Sequence, residues 1–258
     1  MLIRLSIVLG LATMIVACAV TPTAGDGDRI GNLITQGVPV IPARITELLE
    51  PYQNVRSASL RGWTDDGVLI STRFGETSQV HRVRKPLGVR EQLTFFDEPV
   101  SSVVVPPGGQ GGFLYLRDTG GSEFYQMYRF DGATGRSELL SDGRSRHSSM
   151  IWSNAGDRFA YSSTARNGTN VDIYIQDLAG PRRIVLATDG GSWAVADWSR
   201  DDRRLLLQQY ISINESHLYE LHLDTEELEA LLDPDVQAAF GNAAYDGDST
   251  SVYFTSDL

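Results

Sequence analysis

The chain has 258 residues, 41% hydrophobic and 21% charged, which suits a globular protein with a large core. Its 33 acidic residues against 22 Lys and Arg give a net charge of -11. An acidic surface repels phosphate backbones, so no nucleic-acid partner is expected. The single cysteine rules out an internal disulfide.

Met1 to Cys18 reads as a targeting segment. Arg4 gives a short positive start, and Leu5 to Val16 is an apolar run. That run is too short to cross a bilayer, which takes about 20 residues. Ile15, Val16, Ala17 and Cys18 resemble the lipobox of bacterial lipoproteins, in which the peptide before the cysteine is cut and the thiol is lipidated. On that resemblance Cys18 is the lipidation site and the membrane is reached through a lipid anchor. The alternative is an ordinary secretory peptide cleaved near Ala17 or Ala19, with Cys18 incidental. Both readings export the protein, to the bacterial envelope or the periplasm. No Asp follows Cys18, which by the same resemblance favours the outer membrane. Residues 19–41 open with Thr, Gly, Asp and Pro and read as a flexible tether. After Pro42, Ile45, Leu48 and Leu49 fall at helical spacing and predict a short helix up to Pro51.

Helix-period stretches are otherwise nearly absent, and from Val55 onward the chain repeats. Each repeat opens with a small apolar strand, often ending in an aromatic residue. A turn of Asp, Asn and Gly follows, then an apolar second strand. The turns start at Trp63 (WTDDG), near Pro106 (PPGGQ), at Trp152 (WSNAG), at Trp198 (WSRDD) and at Tyr245 (YDGDS). Third strands recur in phase at Val80 and Val83, Met127 to Phe130, Val171 to Ile175 and Leu218 to Leu223. Asp131, Asp177 and Asp224 follow, where an Asp side chain suits a turn by capping an amide two residues on. Alternation such as Val171, Ile173, Ile175 against Asp172, Tyr174, Gln176 predicts half-buried strands.

A period of about 40 to 50 residues with four strands per repeat predicts an all-β fold, a β-propeller of four-stranded antiparallel blades. The partial propeller is placed at 42–258, with blades at about 55–97, 98–145, 146–191 and 192–236 and a partial one at 237–258. That makes about four and a half blades. An unfinished blade leaves an exposed strand edge, so the chain is expected to be a fragment of something longer.

Several stretches resemble the N-terminal propeller of bacterial serine peptidases of the prolyl oligopeptidase family. They are PYQNVRSASLRGW (Pro51 to Trp63), TRFGETSQVHRV (Thr72 to Val83), REQLTFFDEPV (Arg90 to Val100), GGSEFYQMYRFD (Gly120 to Asp131), ARNGTNVDIYIQDL (Ala165 to Leu178) and QYISINESHLYELHL (Gln209 to Leu223). The resemblance covers roughly Pro39 to Leu258. The opening turn alone also resembles the repeats of TolB-type propellers. In the peptidase family a propeller caps a C-terminal α/β-hydrolase domain and admits short peptides to a Ser, Asp and His triad. The resemblance implies a substrate-gating role, with peptide substrates reached through that hydrolase domain. The alternative is a non-enzymatic TolB-like envelope propeller that binds protein partners.

No catalytic residue is expected in this chain. Gly190, Gly191, Ser192, Trp193 and Ala194 come nearest to a nucleophile turn, but they precede a strand and not a helix. His81, His147, His217 and His222 lack metal-ligand spacing with a shared carboxylate, so they are read as surface or packing residues and no metal is expected. The Gly108 to Gly112 loop lacks the Lys and helix of a phosphate-binding loop, and no cofactor is expected. Glu226 and Glu227 read as a solvated turn, and the triplets at Asn167 and Asn214 carry little weight. Trp63, Trp152 and Trp198 are expected to pack between neighbouring blades.

Overall fold

The computed structural model describes residues 28–30, 33–178 and 180–258. The chain divides into two compact units at Asn54. Cys18 and the targeting segment lie outside the described residues. In the first unit, β1 (Asp28–Ile30) and β2 (Leu33–Thr35) pair antiparallel, so part of the expected tether is a hairpin. The sequence signal is Gly31-Asn32 between two short runs. Helix α1 (Ala43–Gln53) continues through Pro51, beyond its expected end, and carries no buried residue. Among the described residues no helix is long and apolar enough to cross a membrane.

The second unit is an incomplete β-propeller. Blade 1 contains β3 (Ser59–Thr64), β4 (Gly67–Thr72), β5 (Gln79–Val83) and β6 (Arg90–Gln92). Blade 2 contains β7 (Val103–Val104), β8 (Gly112–Arg117), β9 (Gln126–Asp131) and β10 (Ser137–Leu139). Blade 3 contains β11 (His147–Trp152), β12 (Arg158–Ser163), β13 (Asp172–Asp177) and β14 (Arg182–Leu186). Blade 4 contains β15 (Ser192–Trp198), β16 (Arg204–Ser212), β17 (Glu215–His222) and β18 (Leu228–Ala230). Blade 5 has β19 (Phe240–Tyr245) and β20 (Val252–Ser256). Within each blade the strands pair antiparallel in chain order. Four of the five first strands carry a register shift at the same place, between Leu60 and Gly62, Ser148 and Ile151, Val195 and Asp197, and Gly241 and Ala244. A bulge there adds twist where successive sheets must splay.

The middle strands are not half-buried as the alternation suggests. Residues 159–163 of β12 and 172–176 of β13 are buried on both faces. The reason is that the core lies between sheets and not under one of them. Leu69 and Val80 of blade 1 meet Phe113, Tyr115 and Phe130 of blade 2. The opposite face of blade 2, with Leu114, Leu116 and Met127, meets Phe159, Tyr161 and Tyr174 of blade 3. Ala160, Ile173 and Ile175 then meet Trp198, Leu205, Leu207 and Leu221 of blade 4. Leu206 and Leu218 meet Phe240 and Ala243 of blade 5. Period-two alternation thus sends neighbouring side chains of one strand to opposite junctions, one to the preceding blade and one to the next.

A polar latch recurs beside these clusters at the junctions of blades 2 and 3, 3 and 4, and 4 and 5. The indole N–H of Trp198 donates to the Ile151 carbonyl at 3.1 Å, and that of Trp152 to the Val104 carbonyl at 3.3 Å. Two residues after Trp152, the Asn154 amide donates to Asp202 Oδ1 of the next blade at 2.7 Å. The Arg200 amide likewise donates to Ser249 Oγ at 2.8 Å. Arg158 and Arg204 complete the pattern, donating to the Asp202 and Ser249 carbonyls at 2.8 and 3.0 Å. Their guanidinium groups lie over the Trp198 and Tyr245 rings, at 5.3 and 5.4 Å from the centroids. In blade 2 the aromatic position is held by Val105, one residue before the predicted Pro106. Pro107 falls where an amide would donate and has none, and it packs instead on Gly156, whose added Cβ would lie 3.5 Å from Pro107 Cδ. Gly109, at φ +71°, lies so close to blade 1 that a Cβ would fall 2.6 Å from Thr64 Cα.

The turn aspartates behave differently from one another. Asp131 Oδ1 accepts the Ala133 and Thr134 amides at 2.9 and 2.8 Å, as expected. Asp224 instead pairs with Arg203, and the Asp177 carbonyl accepts the Gly180 amide.

Trp198 is 3% exposed and Trp63 is 73% exposed, although the two occupy equivalent positions. Trp198→Ala is expected to cost about 3–5 kcal/mol of stability in dilute denaturant titrations, against less than about 0.5 kcal/mol for Trp63→Ala. Equal losses would contradict the junction as the seat of the core.

Candidate functional site

The aromatic position of blade 2 also shapes the main surface groove. Val105 stands between Trp63 and Trp152, and its smaller side chain packs over Gly62. Together with Pro106, Pro107, Gly108 and Gly109 it leaves a groove of about 570 Å³. All of its lining belongs to the first strands and first turns of blades 1 to 3. The walls are apolar and aromatic, and Arg61 is the one charged residue among them. Arg61 Nε donates to Ser71 Oγ at 2.7 Å. Such a groove can hold an apolar side chain by desolvation and ring contact. It presents no carboxylate, imidazole or thiol for proton transfer.

The residues that sequence singled out for chemistry are dispersed. Gly190 and Gly191 form the linker into β15, and Ser192 is that strand's exposed first residue, paired with Tyr210. No helix follows it, so the nucleophile geometry is absent. Glu226 and Glu227 are exposed in the turn after β17. His217 and His222 lie on opposite faces of β17, each beside the carboxylate two residues earlier. His217 Nε2 is 3.3 Å from Glu215 and His222 Nε2 is 3.2 Å from Glu220. Among the described residues, no group of three or more His, Cys, Asp or Glu could hold a metal ion.

His81 and His147 are packing residues. His81 Nδ1 lies 3.0 Å from the Gln79 carbonyl, and the Phe74 ring meets the imidazole edge-on. His147 is 1% exposed and neither ring nitrogen has a hydrogen-bond partner. Its Nε2 is 3.6 Å from Asp142 Oδ1, a charge contact and not a hydrogen bond. Burial pushes the imidazole pKa down, and the attraction of Asp142 only partly opposes it. Burial would raise the Asp142 carboxyl, but hydrogen bonds from the Ser145 hydroxyl and the Ser145 and Arg144 amides outweigh it and hold it well below its usual range.

Three buried polar residues escaped the sequence reading. Gln79, Gln126 and Asp172 occupy the same position in their third strands, just before Val80, Met127 and Ile173. Gln79 Nε2 donates to the Phe96 and Glu98 carbonyls, both at 3.0 Å. Gln126 Nε2 donates to the Ser145 carbonyl at 2.7 Å, and Asp172 Oδ1 accepts the Thr188 amide at 2.8 Å. Each anchors the linker that carries the chain to the next blade. Their signal is a polar residue recurring in phase before the third-strand apolar run.

No family model matches the chain, and no curated protein matches it. Solved structures do. One, from a study of two prolyl endopeptidases and the role of inter-domain dynamics in their catalysis and specificity, superposes with a TM-score of 0.66 at 13% identity, over 82% of this chain and 34% of the other. TolB from Acinetobacter baumannii gives a TM-score of 0.55 at 15% identity, over 76% of this chain and 48% of its own. A putative TolB from Agrobacterium tumefaciens gives 0.53 at 16% identity, over 77% and 80%. The chain thus spans about a third of the endopeptidase chain and half of the first TolB. At these identities the likeness shows the fold, a β-propeller of the kind those proteins contain.

The buried histidine makes stability sensitive to acid. The folded-state pKa of His147 lies below its ordinary 6.5. The unfolded chain therefore binds the proton first, and the stability held above about pH 6.5 is lost as pH falls through that value. The loss is at most about 1.4 kcal/mol per pH unit for this one group. Thermal unfolding compared at pH 7.5 and 5.5 is expected to show a smaller acid shift in His147→Gln than in the parent. An unchanged shift would remove His147 as its source.

Proposed function

We propose that this chain is the substrate-gating propeller portion of an exported serine peptidase of the prolyl oligopeptidase type, which hydrolyses short peptides by acyl transfer through serine. One observation carries the reading: 82% of the chain superposes on about a third of a prolyl endopeptidase. The stretches from Pro51 to Leu223 that resemble that family lie in blades 1 to 4 and their approaches. On this reading the propeller excludes folded proteins, and the groove between Trp63 and Trp152 offers passing peptides an apolar wall. The nucleophile, base and oxyanion donors belong to a hydrolase domain, not to these blades.

The purified chain is therefore expected to leave proline- and alanine-linked chromogenic dipeptides intact. Cleavage that a serine-reactive phosphonate blocks would sink the assignment. A TolB-like binding propeller is favoured by a different observation, the match over 80% of the putative TolB chain. Sequencing the gene downstream of the Leu258 codon separates the two. Further blades followed by a strand, a G-x-S-x-G turn and a helix support the peptidase, and a stop after blade closure supports the binding module.

Export and anchoring follow from the first 18 residues. Cys18→Ser is expected to shift the protein from the membrane to the soluble fraction of a bacterial host and to abolish incorporation of labelled palmitate. Unchanged membrane partition and labelling would place the anchor elsewhere.

A further inference from the structure

The residue that opens the second strand differs from blade to blade. It is Gly67 in blade 1, Gly112 in blade 2, Arg158 in blade 3 and Arg204 in blade 4. Both arginines cross to the next blade. Arg158 donates to the Asp202 carbonyl and lies over the Trp198 ring, and Arg204 donates to the Ser249 carbonyl and lies over the Tyr245 ring. Each acceptor is the fourth residue after the aromatic position, at φ +56° and +59°. Blade 2 turns the same acceptor towards blade 1, because Gly109 is the fourth residue after Val105 and has φ +71°. Blade 1 has no side chain to send there from Gly67. At φ +148° a Cβ on Gly67 would fall 2.4 Å from the Val83 carbonyl oxygen, so an arginine is barred. The Gly109 carbonyl instead accepts the Asp65 amide at 3.4 Å, a long contact.

A cavity of about 280 Å³ occupies this place, and all of its walls belong to blades 1 and 2. Sites for whole small ligands run from roughly 300 to 1,000 Å³, so this one suits a single side chain. Leu69, Phe113 and Phe130, all buried, supply its apolar lining. Gly109, Gly111 and Gly112 leave one wall as bare backbone. The Gly-rich loop thus keeps a slot open between blades. The charged residues of the lining are Asp65, Asp66 and Arg82. Arg82 donates to Asp66 from Nη1 at 3.0 Å and to Glu91 from Nε and Nη2 at 3.1 and 3.0 Å. Arg84 pairs with the same two carboxylates. Arg82 and Arg84 therefore cancel Asp66 and Glu91, and Asp65 remains as the uncompensated charge.

We propose that this cavity binds the arginine side chain of a peptide, which supplies the guanidinium that Gly67 cannot. Its N–H groups donate to the Asp65 carboxylate and the Gly109 carbonyl, as Arg158 and Arg204 donate to the carbonyls of Asp202 and Ser249. Its methylene stem covers Leu69 and Phe113. A guanidinium fits two acceptors with its planar fork, whereas a lysine offers a point charge. The inference goes beyond gating, because it gives the propeller a side-chain preference of its own. It holds for a peptidase and for a binding module alike, since the site lies within these blades.

Calorimetric titration of the full chain with acetyl-Gly-Arg-Gly amide and its Lys and Leu counterparts tests this. The arginine peptide is expected to saturate with a Kd of about 1 mM or lower, and the leucine peptide to bind at least about tenfold more weakly. The lysine peptide is expected to fall between them. Asp65→Asn is expected to weaken the arginine peptide about fivefold or more, and Asp65→Lys to abolish saturation. Glu226→Gln removes the same charge from a solvated turn of blade 4 and is expected to leave binding unchanged. Thermal unfolding verifies that each variant folds as the parent does. In amide NMR spectra the peptide is expected to shift Gly109, Gly111 and Gly112. An arginine peptide that never saturates overturns the proposal. Equal affinity for the leucine peptide overturns the guanidinium chemistry in favour of an apolar site. Equal weakening by Glu226→Gln and Asp65→Asn overturns the site in favour of attraction to the whole acidic surface. None of these readouts involves hydrolysis, so their failure is separate from failure of the peptidase assignment.

Discussion

Burial of both faces of the middle strands is the constraint on which this structure depends. A sheet with apolar residues on both sides has no stable solvated state, so a blade is not an independent unit. Tyr161 and Ala160 are adjacent in sequence and both fully buried, yet they belong to different cores. The folding unit is the junction, made from one face of a blade and the facing side of the next. Stability then accumulates by nearest neighbours, as in other repeat architectures. This explains why four clusters and not five fill the five blades, and why the end blades keep exposed aromatics.

The polar latch supplies what the apolar clusters lack, a fixed register between sheets. Hydrophobic contact tolerates sliding, whereas an indole donor aimed at one carbonyl does not. At the junction of blades 3 and 4, Asp202 takes three N–H groups from Asn154 and Ala155, so the carboxylate is satisfied by the blade it faces. At the junction of blades 2 and 3 the same place holds Pro107 against Gly156, with neither donor nor acceptor side chain. The two changes match: where the proline removes the donor, the glycine removes the need for an acceptor. That stretch keeps only the indole part of the latch, from Trp152 to the Val104 carbonyl, and with Val105 in the aromatic position it lines the open groove beside Trp63 and Trp152.

The repeat was legible because the aromatic and the turn glycines and aspartates recur about every 46 residues. Propeller class, strand number per blade and the positions of Trp152 and Trp198 follow from that periodicity. The parts that sequence hid are those where one-dimensional pattern is degenerate. Alternation of Ile173 and Tyr174 looks like inside and outside, but Tyr174 is an apolar body that fills the neighbouring junction. The expected position lies one residue after Val105 because Pro106 and Pro107 look like the turn and valine does not look like tryptophan. Pro51 reads as a stop in sequence, but it removes a single amide from a short helix that extends only two residues beyond it. His147 carries no local mark of burial; its environment is assembled from Tyr161, across the sheet, and Asp142, in the preceding linker.

The placement of titratable groups bears on what such a scaffold can do. Asp172 is held by Arg166 and the Thr188 amide, Asp142 by Ser145, and Glu220 by Arg204 and Tyr245. His81 and His147 are sealed between side chains and stay neutral. A group committed to a linker or a junction cannot also move a proton to a substrate without loosening the blade it holds. Groups left outside these networks, such as Glu226 and Glu227, are solvated and far from the groove in sequence and in blade. The groove itself is apolar with one arginine on its wall. Ionisable residues in this fold hold the blades in register, and the groove that register creates is lined by apolar and aromatic side chains.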